Sequence, residues 1–477
     1  YHYNITMDNQ EILKKILKYN NTSFSKAYHI SDIHIRLQSR HEEYEEVFQN
    51  LYKFLQSEVK VHNLGDNQNS KGVIVITGDI LHSKCELTPE AVEITRLFFT
   101  KLAKIMPVIV ISGNHDINIS NDKRLDAITP IANGVSKSLP FYYLKKTGIY
   151  QLNNIIFSVA SVFDYYIIES NLVDSLTDLP TSDCLKICLY HGRVDGVLLY
   201  NGTKIDGEID TKTNKTITTT AFDGYDYCLF GDIHKHQYLN TEKTIAYAGS
   251  LIQQSHGEHI DNHGVLIWDF VNKTSVLHNI DNQYGYITLN ISNSNKNSIK
   301  CLAYHNQNNQ NNQNKCGFPN HIYLRLLLDN TPNSFVQEIV SDIKTHHKIH
   351  EISYQDNTQN TTANKLSQDI KYDITKIDYQ NQLLEEILNN KTDKTNIARI
   401  KKLNEIANQQ LAKNIEYHNS GTWKMLKMEF DNLYSYGSGN VIDFTTIKGI
   451  AGVIAENHMG KSAILDIILF TLFDKFP

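Results

Sequence analysis

Apolar and polar positions along the chain change period several times. From Lys26 to about Gly257, short apolar runs alternate with longer helical patterns. The runs are "KAYHIS", "GVIVITG", "MPVIVISG", "NIIFSVAS", "CLKICLYH", "YDYCLFG" and "TIAYAGS"; "EEYEEVFQNLYKFLQSEV" and "PEAVEITRLFFTKLAKI" carry helical spacing between the first of them. Strands of this kind separated by helices predict a layered α/β domain. "GVLIWDFVNKTSVLHNID" predicts a closing hairpin. A smaller α+β unit comes next, with strands "YITLNI", "IYLRLLL" and "HEISY" and a helix "NSFVQEIVSDIKTH".

The ends of the chain read differently. Residues 1–24, beginning "YHYNITMDNQEILKKILKYN", have helical period and predict a helical extension. The tract "HNQNNQNNQNKC" has the composition of a disordered loop. "DYQNQLLEEILNN" and "NIARIKKLNEIANQQL" predict a helical pair, each with one apolar stripe: Leu383, Leu384, Ile387 and Leu388, then Ile397, Ile400, Leu403 and Ile406. From Trp423 onward the order is strand, strand, loop, helix.

Length and charge narrow the picture. A chain of 477 residues is long enough for three or four domains. The net charge of −6 gives no basic signature, so any nucleic-acid contact must be local or assisted by bound cations. The six cysteines form no zinc-type pairs of pairs and read as buried thiols in a reducing compartment. No apolar run reaches the roughly 18–20 residues that span a bilayer, and the start does not read as a signal peptide. The expected setting is therefore intracellular (cytoplasm, nucleus or a viral replication site), without membrane contact.

The candidate chemistry lies where the strands stop. Five turns offer hard oxygen or imidazole donors: "SDIH" with Asp32 and His34, "GD" with Asp79, "GNHD" with Asn114, His115 and Asp116, "HG" with His191, and "GDIHKH" with His234 and His236. In an open α/β sheet such turns converge at the carboxyl ends of the strands. Carboxylate, amide oxygen and imidazole together suit Mn²⁺, Fe²⁺ or Zn²⁺. A shared aspartate would make this a two-metal site. Taken singly, each turn is an ordinary turn and each histidine an ordinary histidine; the ordered set is what points to a metal.

This series resembles that of the calcineurin-like metallophosphoesterases. "SDIHIRLQSRHEEYEEVF", the extra histidine of "GDILH" and "YAGSLIQQSHGE" resemble the SbcD/Mre-eleven nuclease branch. The resemblance implies a four-layer β-sandwich flanked by helices over residues 25–283, a capping domain that binds DNA over 284–355, and a linker with ATPase-binding helices over 356–420. It implies Asp32, His34, Asp79 and His236 around one ion, and Asp79, Asn114, His191 and His234 around the other. It makes His115 a catalytic proton donor, His82 an assistant at the phosphate and Asp116 a support for a neighbouring imidazole. Two Mn²⁺ ions are the expected cofactors, with Fe²⁺ or Zn²⁺ as substitutes.

Residues 421–477 resemble the opening of an SbcC/Rad-fifty ATPase lobe. Asn457, Gly460, Lys461 and Ser462 stand as in a phosphate loop for ATP and Mg²⁺, although Ala455 occupies the place of its first glycine. The implied partners are DNA, especially double-strand ends, the remainder of an ATPase with its coiled coil, and a second copy of the chain through the nuclease domain. The expected function is a Mn²⁺-dependent DNA endo- or exonuclease of double-strand-break processing, regulated by the attached ATPase. Two other classes share many of these features: a phosphatase or nucleotide phosphodiesterase, and a non-catalytic DNA tether.

Overall fold

A computed structural model of the chain describes residues 2–7, 10–19, 23–66, 68–83, 86–119, 121, 124–174, 184–291, 318–328, 331–356, 377, 380, 381, 384, 394–412, 425–446, 460 and 463–473. They belong to two units, Tyr1–Leu366 and Ser367–Pro477.

The first unit is built on two sheets. The strands run β1 (His2–Met7), β2 (Gln10–Ile16), β3 (Lys26–Ile30), β4 (Gly72–Thr77), β5 (Val108–Ile111), β6 (Phe141–Tyr143), β7 (Gly148–Leu152), β8 (Ile155–Ala160), β9 (Leu185–His191), β10 (Val197–Leu198), β11 (Lys204–Ile205), β12 (Tyr227–Gly231), β13 (Gln237–Tyr238), β14 (Ile245–Tyr247), β15 (Gly264–Asp269) and β16 (Thr274–Asn279). One sheet has the order β16-β15-β3-β4-β5-β6, with β3, β4, β5 and β6 parallel. The other has the order β1-β2-β7-β8-β9-β12-β14-β13, with β8, β9, β12 and β14 parallel. The expected hairpin is β15 against β16.

Strand alternation decides which face goes where. In β4, Val73 and Val75 enter the core between the sheets with Ile187, Leu189 and Leu229 of the opposite sheet and Trp268 of β15. Ile74 and Ile76 point the other way, onto helices α1 (His41–Val61), α2 (Pro89–Ala103) and α3 (Ile128–Ser136). On the larger sheet Tyr190, Phe230 and Tyr247 face outward beneath Val194, Ile217 and Phe222. All six parallel strands that matter to the chemistry, β3, β4, β5, β9, β12 and β14, therefore finish at one edge of this sandwich.

Residues near the start depart from the expected helix. β1 and β2 pair antiparallel, and β2 pairs parallel with β7 through Leu13 opposite Gly148 to Ile16 opposite Gln151. A short isolated helix is marginal in water, whereas a strand here completes a ladder on a sheet edge; the ladder overrides the helical spacing.

The smaller α+β unit forms as its apolar runs predict. β17 (Tyr284–Ile291), β18 (His321–Leu328) and β19 (Lys348–Asp356) are parallel neighbours, and helix Asn333–His346 covers one face through Val336, Ile339 and Ile343. The asparagine-rich tract lies outside the described residues. In the second unit, helix Lys394–Ala412 buries Ile397 but leaves Leu403 and Ile406 exposed. Leu383, Ile387 and Leu388 lie outside the described residues, so the first stripe is represented by Leu384 alone. β20 (Lys427–Phe430) pairs with β21 (Asn440–Asp443), and helix Ala463–Phe473 packs Ile467 on Met428 and Phe430. No described helix is long and apolar enough to cross a membrane.

Leu229 is fully buried between the sheets. Leu229→Ala is expected to lower unfolding stability by about 2–5 kcal/mol, the range for a leucine cavity. Equilibrium urea unfolding with an unchanged slope checks this; a loss below about 1 kcal/mol would place Leu229 outside the shared core.

Candidate metal centre

The turns at the strand ends are held in unusual backbone. Asp32, His34 and Asp79 have φ near 51–52°, and Asp232 has φ 90°. Left-handed backbone is disfavoured for residues with a Cβ and persists where surrounding contacts enforce it. Here two loops zip together. Asp32 N–H donates to the Gly78 carbonyl, Ile33 and His34 N–H to the Asp79 carbonyl, and Ile35 N–H to the Ile80 carbonyl, at 2.8–3.2 Å. Gly78 has φ +90° and a Cβ there would stand 2.5 Å from His191 Nδ1, so glycine is required. Asp116 is fully buried; its two oxygens accept from Leu81 N–H and Gly113 N–H, both at 2.9 Å. It clamps two metal-loop backbones and does not orient an imidazole as expected from the sequence.

Asp79 sits at the centre. Its Oδ2 lies 3.5 Å from His34 Nε2 and its Oδ1 lies 3.3 Å from His191 Nε2. On the first side, His34 Nε2 and His234 Nε2 are 3.0 Å apart, with Asp32 Oδ1 4.0 Å from each. On the second, Asp232 Oδ1 is 3.7 Å from His191 Nε2 and 3.3 Å from Asn114 Nδ2. Donor atoms close to within 4.8 Å in three groups: Asp32, His34 and His234; Asp32, Asp79 and His191; His34, His82 and His115.

Hydrogen bonds behind the rings fix their tautomers. His191 Nδ1 faces the Thr77 carbonyl at 2.7 Å, His234 Nδ1 faces Glu258 Oε1 at 2.9 Å and His115 Nδ1 faces the His82 carbonyl at 2.8 Å. A carbonyl only accepts, so Nδ1 of His191 and of His115 carries hydrogen; in the neutral ring Nε2 then presents a lone pair. His234 against Glu258 is the carboxylate–imidazole arrangement that orients metal ligands.

Charge balance supports a cation. Burial pushes the Asp79 carboxyl up to about 7, partly opposed by His191 and reinforced by Asp32. Burial also raises Asp232, against the influence of His191. Burial lowers His34 well below its usual value, and the neighbouring imidazoles of His234, His115 and His82 lower it further. For His191 burial acts downward, but Asp79, Asp32 and Asp232 carry it up to about 9. Among the described residues no lysine or arginine pairs with Asp32, Asp79 or Asp232, while Asn114 Oδ1 and His191 Nε2 are buried without hydrogen-bond partners. An acceptor without a donor, as Asn114 Oδ1 is, beside clustered carboxylates that no lysine or arginine meets is what a divalent cation would satisfy.

Residues 25–236 match the family described as calcineurin-like phosphoesterase. Over 470 residues the chain is 38% identical to "Uncharacterized protein R555" of Acanthamoeba polyphaga mimivirus, covering 95% of this chain but 32% of that protein. Over 203 residues it is 25% identical to "Putative phosphoesterase 244L" of Invertebrate iridescent virus 6, covering 42% of this chain and 64% of that protein. The chain thus spans about a third of the mimivirus protein's length, and the matched stretch just under two thirds of the iridescent-virus protein's.

Within the first unit the structure brings together Asp32, His34, Asp79, Asn114, His191 and His234, with His82 and His115 beside them. It separates His236. That ring lies against Tyr238 with Nδ1 2.8 Å from the Tyr247 carbonyl, and it belongs to none of the three donor groups. Asp232 takes a place the sequence reading left empty. The turn after β12 directs Asp232 and His234 inward, and His236 begins the exit toward β13. The signal was present: "TGDILH" at Thr77–His82 and "FGDIH" at Phe230–His234 share a Gly-Asp-Ile turn after a buried strand. His82 stacks on His115 with centroids 5.7 Å apart, and burial followed by the charge of Arg36 lowers it to about 4. In the second unit, Gly460 has φ +80° and its carbonyl accepts from Tyr436 Oη at 3.0 Å. Asn457, Lys461 and Ser462, and Ala455 with them, lie outside the described residues.

Metal content after manganese loading and desalting separates the two assignments. Asp232→Ala and His234→Ala are expected to lose at least half of the bound metal, and His236→Ala to retain all of it. Equal losses in His234→Ala and His236→Ala would reinstate the assignment made from sequence.

Proposed function

We propose that the chain is a divalent-metal-dependent DNA nuclease. The observation that carries the hydrolytic part is the two-sided placement of Asp79, with one oxygen toward His34 and the other toward His191. Asp32, His34, Asp79 and His234 would hold one cation, and Asp79, Asn114, His191 and Asp232 the other. Bound cations would supply a water-derived nucleophile near neutral pH and neutralise charge growing on the phosphoryl oxygens.

The protein groups do the rest. His115 is fixed by its Nδ1 bond to the His82 carbonyl and by its own N–H on Asp79 Oδ1 at 2.9 Å. When protonated, it gives a proton from Nε2 to the leaving oxygen. His82, stacked on it, lies in position to orient the phosphate.

DNA as substrate is supported by the small parallel sheet on the carboxyl-terminal side of the phosphoesterase domain. This sheet of β17, β18 and β19 is tied directly to the centre. Gln253 brackets Tyr286, accepting its N–H at 2.7 Å and donating to its carbonyl at 3.1 Å, and the adjacent Gln254 N–H donates to Glu258, which holds His234. A ligand on that sheet would thus rest on a part of the fold joined to the candidate centre by hydrogen bonds. The resemblance to SbcD/Mre-eleven nucleases and the phosphate-loop residues Asn457, Gly460, Lys461 and Ser462 support a role in double-strand-break processing, coupled to ATP and Mg²⁺ through an attached ATPase lobe. Manganese is the proposed physiological metal. The proposed partners are double-stranded DNA ends, the rest of that ATPase and a second copy of the chain.

A phosphatase or small-molecule phosphodiesterase is the second reading, favoured by the name "Putative phosphoesterase" of the iridescent-virus relative. End-labelled duplex DNA and bis-p-nitrophenyl phosphate, each incubated with Mn²⁺, separate the two. Cleavage of DNA is expected, abolished by chelator and by His115→Leu, with the metal content of that variant unchanged. Turnover of the small diester with no cleavage of DNA would favour the second reading.

A further inference from the structure

We propose that Arg36 binds a phosphoryl oxygen of the substrate beside the His34, His82 and His115 group. The proposal rests on the phosphoester reading above and adds to it a residue that sets substrate affinity.

Arg36 stands two residues beyond His34, on the loop that continues from β3. Its Nη1 lies 3.5 Å from His82 Nε2, and the His82 ring in turn packs against both His34 and His115. Its Nη2 reaches the Gln254 carbonyl at 3.4 Å, a long contact. Its Nε is buried with no partner. The guanidinium therefore lies one side chain away from a donor group, with a buried Nε that no acceptor meets.

Arg40, four residues on, shows the contrast. Its guanidinium makes two bonds to Glu43, at 2.7 and 2.8 Å, and a third to the Gln253 carbonyl. Among the described residues Arg40, Arg96 and Arg193 each have a carboxylate partner, and none stands within ion-pair distance of Arg36. A fixed positive charge next to a cation-binding cluster is repelled by its occupants unless an anion lies between them. A phosphate group meets that need, because two of its oxygens match the planar fork of a guanidinium. His82 Nε2 can accept from Arg36, which aims the fork along the edge of the cluster. Phosphomonoesters and phosphodiesters offer the same oxygens, so the recognised chemistry is the phosphoryl group itself.

The test titrates inorganic phosphate into the full chain loaded with Mn²⁺, comparing native protein with Arg36→Gln and Arg36→Lys. Arg36→Gln is expected to weaken phosphate binding about 10- to 100-fold, the scale of a lost charge-assisted bidentate contact. Arg36→Lys, which keeps charge without the fork, is expected to fall between. Bound metal and the thermal midpoint should stay unchanged in both. Turnover of p-nitrophenyl phosphate and bis-p-nitrophenyl phosphate supplies the second arm: a raised KM at nearly constant kcat supports the proposal, and the ester on which it is seen identifies the natural class. If Arg36 only props His82, phosphate affinity will be equal in all three proteins while the variants melt lower, and the proposal is overturned alone. If native protein binds no phosphate even with metal loaded, this proposal and the phosphoester reading both fall.

Discussion

Three carboxylates, Asp32, Asp79 and Asp232, face one another at the end of a β-sandwich with imidazoles and an amide around them, and no lysine or arginine pairs with them among the described residues. Asp32 and Asp79 are almost completely buried. Burying charge in this way is expensive without a counter-charge. Much of the local structure is intelligible as holding that arrangement. Positive φ at Asp32, His34, Asp79 and Asp232 shapes the turns that follow β3, β4 and β12. Asp116 spends both of its oxygens on loop amides, and the carbonyls of Thr77 and His82 fix the rings of His191 and His115. The strands supply the platform, and the chemistry depends on how their ends are bent.

Behind the centre runs a chain of polar contacts that joins it to the small parallel sheet. Tyr44 Oη donates to the His34 carbonyl and Gln254 Nε2 to the Ile33 carbonyl, so the first metal loop is held from below. Arg40 links Glu43 to the Gln253 carbonyl, and Asn282, just before β17, donates to Glu43 at 2.9 Å. The Arg40 guanidinium also lies over the rings of Tyr286 and Tyr323, 5.1 and 5.9 Å from their centroids. Breaking one partner of a buried ion pair such as Arg40–Glu43 typically costs about 3–5 kcal/mol. The same residues thus set the position of the loop and the seat of the small sheet, which gives a physical route by which substrate lying on one could be felt at the other.

Much of this was legible in the sequence, and the parts that were not share a cause. The β-branched runs identified the parallel strands, because fully buried strands leave a simple apolar signal. The donors after those strands identified most of the centre, because turns at adjacent carboxyl ends must lie together. The choice between His234 and His236 was not accessible by order alone. It depends on Asp232 adopting φ 90°, which spends one position on a carboxylate and sends His236 toward the Tyr247 carbonyl. The role of Asp116 was hidden because a carboxylate that bonds backbone amides looks, in sequence, like one that bonds an imidazole. The strands near the start were hidden because β2 gains its stability from β7, more than a hundred residues away.

The central claim is that Asp79 bridges two cations. Anomalous diffraction at the manganese edge, from crystals of the native chain grown with Mn²⁺, tests it most directly. Two peaks are expected, one between Asp79 and His34 and one between Asp79 and His191, both within bonding distance of the Asp79 carboxylate. A single peak on His34, His82 and His115, or no peak at Asp79, would contradict it.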